Sequence, residues 1–393
     1  MECCAMSKRI EMKKTAVFDL EPDGFSIHTF ELSKVLSGKQ YHKVKENLYY
    51  MQEKDKDRQW IYQEEKGRYC CIRFRENGVR IILEHIETEG RINSYYLRMI
   101  VNPRQLIEPG CSYLGILPPE KSSIKKMEKA FKKLFEDTAF DDNINHYYLS
   151  RIDLCTNIRC DNKSLFRELV RVLRKLPIPP KYERKYLQHK EKRTKQEVSK
   201  YNKHYLRFCC GTHELVIYDK TYQVREENLV VDYEKLPHGV LRFEVHCERE
   251  YIRRVWQKSG KPSTPGLLWQ MIKESEDRII DHFSRCFADV QFMKTEKLQK
   301  KINKSGFKKE KKTAMLKLVS YLQRLQSVDK ALQKMEREGY DTAGLLDGFA
   351  KLGISPIPLR EKFCAQSLPG PVELLRSVAK GKTKVEYIKV KYR

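Results

Sequence analysis

Apolar runs in this sequence extend only a few residues, well short of the roughly 18 to 20 that a bilayer crossing requires, so no membrane span is expected. Met1 to Thr15 mixes Lys, Arg and Glu with no apolar stretch behind it, which is not the layout of a secretory signal, and the expected location is the cytoplasm. There are 12 cysteines but no Cys-x-x-Cys, and Cys155 to Cys160 has no partner pair at zinc-finger spacing. Neighbouring cysteines such as Cys70 and Cys71 rarely bridge each other, so the thiols read as reduced. No repeat at a period of about 20 to 50 residues marks a solenoid, and no strong helix-turn-helix signature stands out. Acid is in deficit: 53 Asp plus Glu face 78 Lys plus Arg, leaving +25 over 393 residues. Such a charge calls for a polyanion, nucleic acid first and an anionic membrane surface second, and disfavours an enzyme for small neutral substrates. What is present in quantity is apolar residue, at 40% with 10% aromatic, enough for one sizeable core and a smaller one.

Short alternating runs at Thr15 to Leu20, Gln59 to Gln63, Gly67 to Arg75, Val79 to Ile86 and Ser94 to Val101 predict a strand meander. Ser123 opens a helix with Met127, Phe131, Leu134 and Phe135 at helical spacing; a strand follows over Tyr147 to Ile158. Asp161 or Asn162 caps a second helix that the prolines from Pro177 end. Lys181 to His204 is a strongly basic stretch, expected to form a helix or an arm. Tyr205 to Cys210 and Glu214 to Lys220 flank Gly211 as a hairpin, and Gly239 to Cys247 is a further strand. The order predicts an α+β domain, a largely antiparallel sheet with helices on one face, over residues 1–260. From 261 to 393 the period becomes helical, with one long helix over Leu268 to Val290, another over Leu318 to Met335, a lysine-rich link at Lys294 to Lys312 between them, and a short helix from Asp341.

Strands alternate their faces, so in Leu241 to Cys247 the residues Arg242, Glu244 and His246 share one face and the apolar residues the other. Arg151 and Asp153 share a face of the earlier strand, and an Asp in mid-strand calls for a partner. Asp153, Glu244 and His246 together suit a hard divalent cation, Mg²⁺ or the more tolerant Mn²⁺. The plainer alternative is a set of ion pairs, Arg151 with Asp153 and Arg242 with Glu244. In the hairpin, Glu214, Val216, Tyr218 and Lys220 share a face. A strand tyrosine is ordinarily a packing residue; beside a metal or a lysine its phenolate becomes a nucleophile.

Taken together, Arg151-Ile152-Asp153-Leu154, Leu215-Val216-Ile217-Tyr218-Asp219-Lys220-Thr221-Tyr222-Gln223 and Leu241-Arg242-Phe243-Glu244-Val245 resemble, in order and spacing, the rolling-circle replication initiators of small Gram-positive plasmids (the Rep_trans family) and the filamentous-phage replication endonucleases. Leu97 to Pro103 resembles a further strand of that family, and the likeness spans roughly residues 95 to 250. The resemblance implies a site- and strand-specific DNA endonuclease and ligase that nicks a replication origin. Tyr218 would attack the phosphodiester and stay joined to the 5′ end, Lys220 would steady the phenolate or the phosphate, and Asp153 and Glu244 would hold Mg²⁺ or Mn²⁺, with His246 as a further ligand. Tyr222 is the competing nucleophile.

The pattern departs from the family where His246 and Asn157 stand in place of acids and Ile100 in place of a carboxylate. The histidine pair used by another large class of initiators is absent. Expected DNA contacts are Arg151, Arg242, Lys185, Lys192, Arg193 and Lys195. The partner implied is origin DNA, single-stranded or as a hairpin at the nick site, with a host helicase as a further partner. The rival readings are a basic DNA-binding protein without catalysis and a conjugative relaxase with the same chemistry.

Overall fold

The computed structural model describes residues 10–54, 59–65, 67–88, 91–160, 162–186, 199, 202–227, 229, 239–381 and 384–392. Its first half runs β1 (Ile10–Leu36), α1 (Gly38–Lys54), β2 (Ile61–Glu65), β3 (Arg68–Cys71), β4 (Val79–Thr88), β5 (Arg91–Val101), α2 (Pro103–Ile107), α3 (Lys121–Phe135), β6 (Tyr148–Cys160) and α4 (Lys163–Leu173). It continues with β7 (Glu183–Arg184), β8 (Tyr205–Cys209), β9 (His213–Asp219), α5 (Lys220–Glu226), β10 (Gly239–Cys247), α6 (Arg249–Lys258), α7 (Thr264–Lys273) and α8 (Ser275–Cys286). The remainder is β11 (Gln291–Met293), α9 (Thr295–Lys304), α10 (Lys309–Arg324), α11 (Val328–Arg337), α12 (Leu345–Lys351), β12 (Ser367–Pro369), α13 (Pro371–Ala379) and β13 (Lys384–Tyr392).

The expected α+β class is what the chain adopts. One antiparallel sheet has the order β2-β3-β4-β5-β1-β6-β10-β9-β8-β7, and β13 pairs with the outer part of β1. Its centre is β1-β6-β10-β9, where strands are buried on both sides; all nine residues of β10 are buried. Apolar side chains on one face meet the helices: the Phe243 ring of β10 lies 5.5 Å from that of Phe283 in α8, edge to face. Asn162 accepts from Leu165 N and caps α4 as its residue type predicts. Gly239 opens β10 because a Cβ there would meet the Phe166 ring of α4 at 2.3 Å.

Several elements differ from expectation. β1 is a single 27-residue strand that continues past Gly24, whose φ of +79° turns the backbone where a side chain would be strained. The long helix expected over Leu268 to Val290 is two, broken at Glu274, and the lysine-rich link contains α9. α7 and α8 lie beyond residue 260 yet cover the sheet; Thr264 Oγ1 donates to Tyr147 O at 2.6 Å just before β6. α1, α13 and β13 were not foreseen. Of the basic stretch, Glu183–Arg184 forms an edge strand, and 187–198 and 200–201 lie outside the described residues.

Candidate active site

The polar face of the central strands gathers the residues that alternation placed there. Register sets Asp153 of β6 opposite His246 of β10, and His246 opposite Glu214 of β9. Arg242 lies opposite both Asn157 and Tyr218. The Tyr218 hydroxyl donates to Glu244 Oε1 at 2.8 Å, and its ring stacks on Tyr205 of β8 at 4.6 Å between centroids. Burial first, and then the Glu244 charge, hold the Tyr218 phenol well above its ordinary range, so the resting hydroxyl is protonated.

His246 donates Nε2–H to Glu244 Oε2 at 2.8 Å and Nδ1–H to Glu214 Oε2 at 3.1 Å. Burial alone would strip its proton, but Asp153 and the bonds to Glu214 and Glu244 outweigh that and push its pKa up to about 10. His246 is therefore an imidazolium at neutral pH, a built-in cation among acids. Glu214 is forked by Arg207 Nε and Nη2, both at 2.8 Å. Asp153 takes Arg151 Nε at 2.9 Å and the Thr29 hydroxyl, and stands 4.0 Å from His246 Nε2. The first of the expected ion pairs is thus formed; Arg242 Nη1 and Glu244 Oε1 come only to 3.7 Å.

Arg242 is a correction to the expected DNA contacts. It has no exposed surface, and its guanidinium is spent on Asn157 Oδ1 at 2.6 Å and Leu114 O at 2.7 Å, so it is a strut beneath the site rather than a phosphate ligand. Asn157 serves the same strut, donating to Leu114 O at 2.7 Å. Lys220 opens α5 just past the end of β9. Its Nζ donates to Gln223 Oε1 at 2.8 Å and lies 5.9 Å from the Tyr218 ring centroid. Burial and then Arg242 bring its pKa down to about 7. Tyr222 belongs to α5, with its ring stacked on His204 at 3.7 Å.

Residues of β1 complete the site, and sequence reasoning missed them. The β1–β6 register slips between Ile27 and Thr29, so this bulge turns both His28 and Thr29 to the polar face. The signal was present: the apolar positions switch from odd (Phe25, Ile27) to even (Phe30, Leu32), which a regular strand cannot do. His28 Nδ1 approaches Glu244 Oε1 at 3.6 Å, and its Nε2 is buried with no hydrogen-bond partner. Burial, reinforced by Arg242 and Lys220, holds its pKa well below the usual value, so the ring is neutral.

A cleft of about 250 Å³ opens over these groups, with Lys185 and Arg207 on its rim beside Tyr218, Asp153, Glu244 and His246. A neighbouring cleft of about 340 Å³ shares His28, Thr29 and Gln223 and adds Arg75, Arg80 and Tyr113. The two form one polar trough across the sheet, basic at both ends. Lys185 is exposed, and Arg151 is part-exposed at 34% of its side chain. Lys192, Arg193 and Lys195 lie outside the described residues.

Among the described residues no group of three or more His, Cys, Asp or Glu side chains is arranged, as it stands, to hold a metal ion. The acids spend their lone pairs on Arg151, Thr29, Tyr218 and His246 instead. The donor chemistry nonetheless suits a hard divalent cation: two carboxylates and imidazole converge, and the buried His28 Nε2 beside Glu244 has nothing to bind.

No family model matches this chain, and no curated protein matches it. Among the described residues no helix is long and apolar enough to cross a membrane.

Proposed function

We propose that this chain is a rolling-circle DNA replication initiator, a metal-dependent endonuclease and ligase that nicks one strand of origin DNA through a 5′-phosphotyrosine at Tyr218. The observation that carries the reading is the 2.8 Å hydrogen bond from the Tyr218 hydroxyl to Glu244 in a polar cleft with basic rims. A tyrosine that only packs has no need of a buried carboxylate aimed at its proton.

The chemistry follows from that contact. As the Tyr218 oxygen bonds to phosphorus, its proton passes to Glu244 Oε1 and the P–O3′ bond breaks; the departing 3′ oxygen takes up a proton from water. Because burial keeps the resting phenol protonated, proton loss accompanies attack rather than preceding it. His246 and Arg242 hold Glu244 from opposite sides, which fixes the acceptor oxygen under the hydroxyl. Lys220 supplies charge beside the ring for the phosphate. A divalent cation, Mg²⁺ or Mn²⁺, held by Asp153, Glu244 and His246 would draw charge from the non-bridging oxygens as phosphorus becomes five-coordinate. The phosphotyrosine conserves the energy of the broken ester, so the reverse reaction reseals the strand without ATP. The trough lays a single strand over the site, with Lys185 and Arg151 on its phosphates. The proposed setting is the cytoplasm, with origin DNA as partner and a helicase recruited to the opened strand.

Incubating the protein with single-stranded origin DNA and Mn²⁺ tests this. A denaturation-resistant protein–DNA adduct is expected, while a binding protein without catalysis leaves none.

A further inference from the structure

The β1 bulge costs the strand a regular ladder and delivers one buried imidazole to the acidic cluster. A buried polar atom without a partner costs stability, and such atoms are rare enough to need a reason. His28 has Nδ1 facing the Glu244 carboxylate at 3.6 Å, which places the ring proton there and leaves a lone pair on Nε2. An acceptor nitrogen does not attract a phosphate oxygen; it attracts a cation. An imidazole whose second nitrogen faces a carboxylate is the usual arrangement of a metal-binding histidine.

We propose that His28 is a ligand of the divalent cation through Nε2, joining β1 to β6 and β10 in one donor set with Asp153, Glu244 and His246. The inference rests on the proposed metal-dependent site but concerns a residue that the alternation of β6, β9 and β10 does not include. Two imidazoles against two carboxylates shift the preference from Mg²⁺ toward Mn²⁺, because Mg²⁺ takes oxygen donors and tolerates nitrogen poorly. His28 also borders the neighbouring cleft, so an ion held there lies where the two halves of the trough meet.

The test is Mn²⁺ titration of the full chain, followed by paramagnetic resonance, with nitrogen couplings on the bound ion read by spin echo. The wild-type protein should bind Mn²⁺ with imidazole coupling. His28→Ala should bind it roughly 10- to 100-fold more weakly and with weaker nitrogen coupling. His28→Gln, which keeps bulk and a polar tip, guards against a folding defect and should lose the nitrogen coupling while retaining the wild-type circular dichroism. Unchanged affinity and coupling in either variant would overturn the assignment, as would absence of Mn²⁺ uptake by the wild type. The adduct assay run in parallel separates the two readings: an adduct with His28→Ala indistinguishable in Mn²⁺ binding rejects His28 and leaves Tyr218 standing.

Discussion

The molecule carries two tyrosine–histidine clusters on opposite sides of the same hairpin, and their contrast shows what makes one of them reactive. At the first, Tyr218 and His246 are bridged by Glu244, with Glu214 and Asp153 beside them. At the second, the Tyr182 hydroxyl contacts His213 Nε2, the His213 ring lies 4.3 Å from that of His282, and Cys210 Sγ sits 3.3 Å from His213 Nδ1. Both clusters are largely buried, but no carboxylate touches the imidazoles of the second among the described contacts. Burial therefore wins there: it lowers His213, and with His213 beside it brings His282 down to about 3. At the first, acids reverse the sign and keep His246 charged. Residue type alone does not define a site; the acids decide whether a tyrosine has somewhere to send its proton.

The comparison breaks most sharply at the hydroxyls. Tyr218→Phe should cut adduct formation and nicking at least ~10³-fold, whereas Tyr182→Phe should leave both near wild type; equal losses in a nicking assay would erase the distinction. Next in size, Glu244→Gln keeps the shape but removes the proton acceptor, and single-turnover cleavage should fall by about 10²- to 10³-fold.

A stability test sharpens the electrostatic half. The Glu214 carboxyl, despite burial, is held down to about 2 from the usual 4.5 by His246 and Arg207. Its folded pKa is depressed, so the stability it lends is complete above about 4.5 and is lost as pH falls toward 2. Glu214→Gln should cost about 2 to 3 kcal/mol near neutrality and flatten the acid limb of urea-melt stability against pH. The smallest effect is expected at the rim. Lys185→Ala should weaken single-strand binding a few-fold and reduce the salt slope by about 0.7, read by anisotropy across a salt series.

How much of this was legible in the sequence depends on whether one strand was enough to see it. In β10, Arg242, Glu244 and His246 alternate with apolar neighbours, and that period put the acids on one face before any partner was known. β9 and the Asn162 cap were equally local. Arg242 shows the limit: alternation gave its face correctly, but only the neighbouring strand and Leu114 reveal that the face is covered there. His28 was hidden because a bulge breaks the period by which strands are recognised. β13 pairs with β1 across almost the whole chain, and no local pattern encodes that partnership.

The central claim is that one particular phenol oxygen, and no other, takes the phosphorus. Digesting the wild-type adduct with protease and sequencing the nucleotide-bearing peptide by mass spectrometry tests it most directly. The account predicts the added nucleotide mass on Tyr218, within the peptide Leu215-Val216-Ile217-Tyr218-Asp219-Lys220 or a longer one containing it. The same mass on Tyr222, on Tyr182 or on a residue of the basic stretch would contradict it.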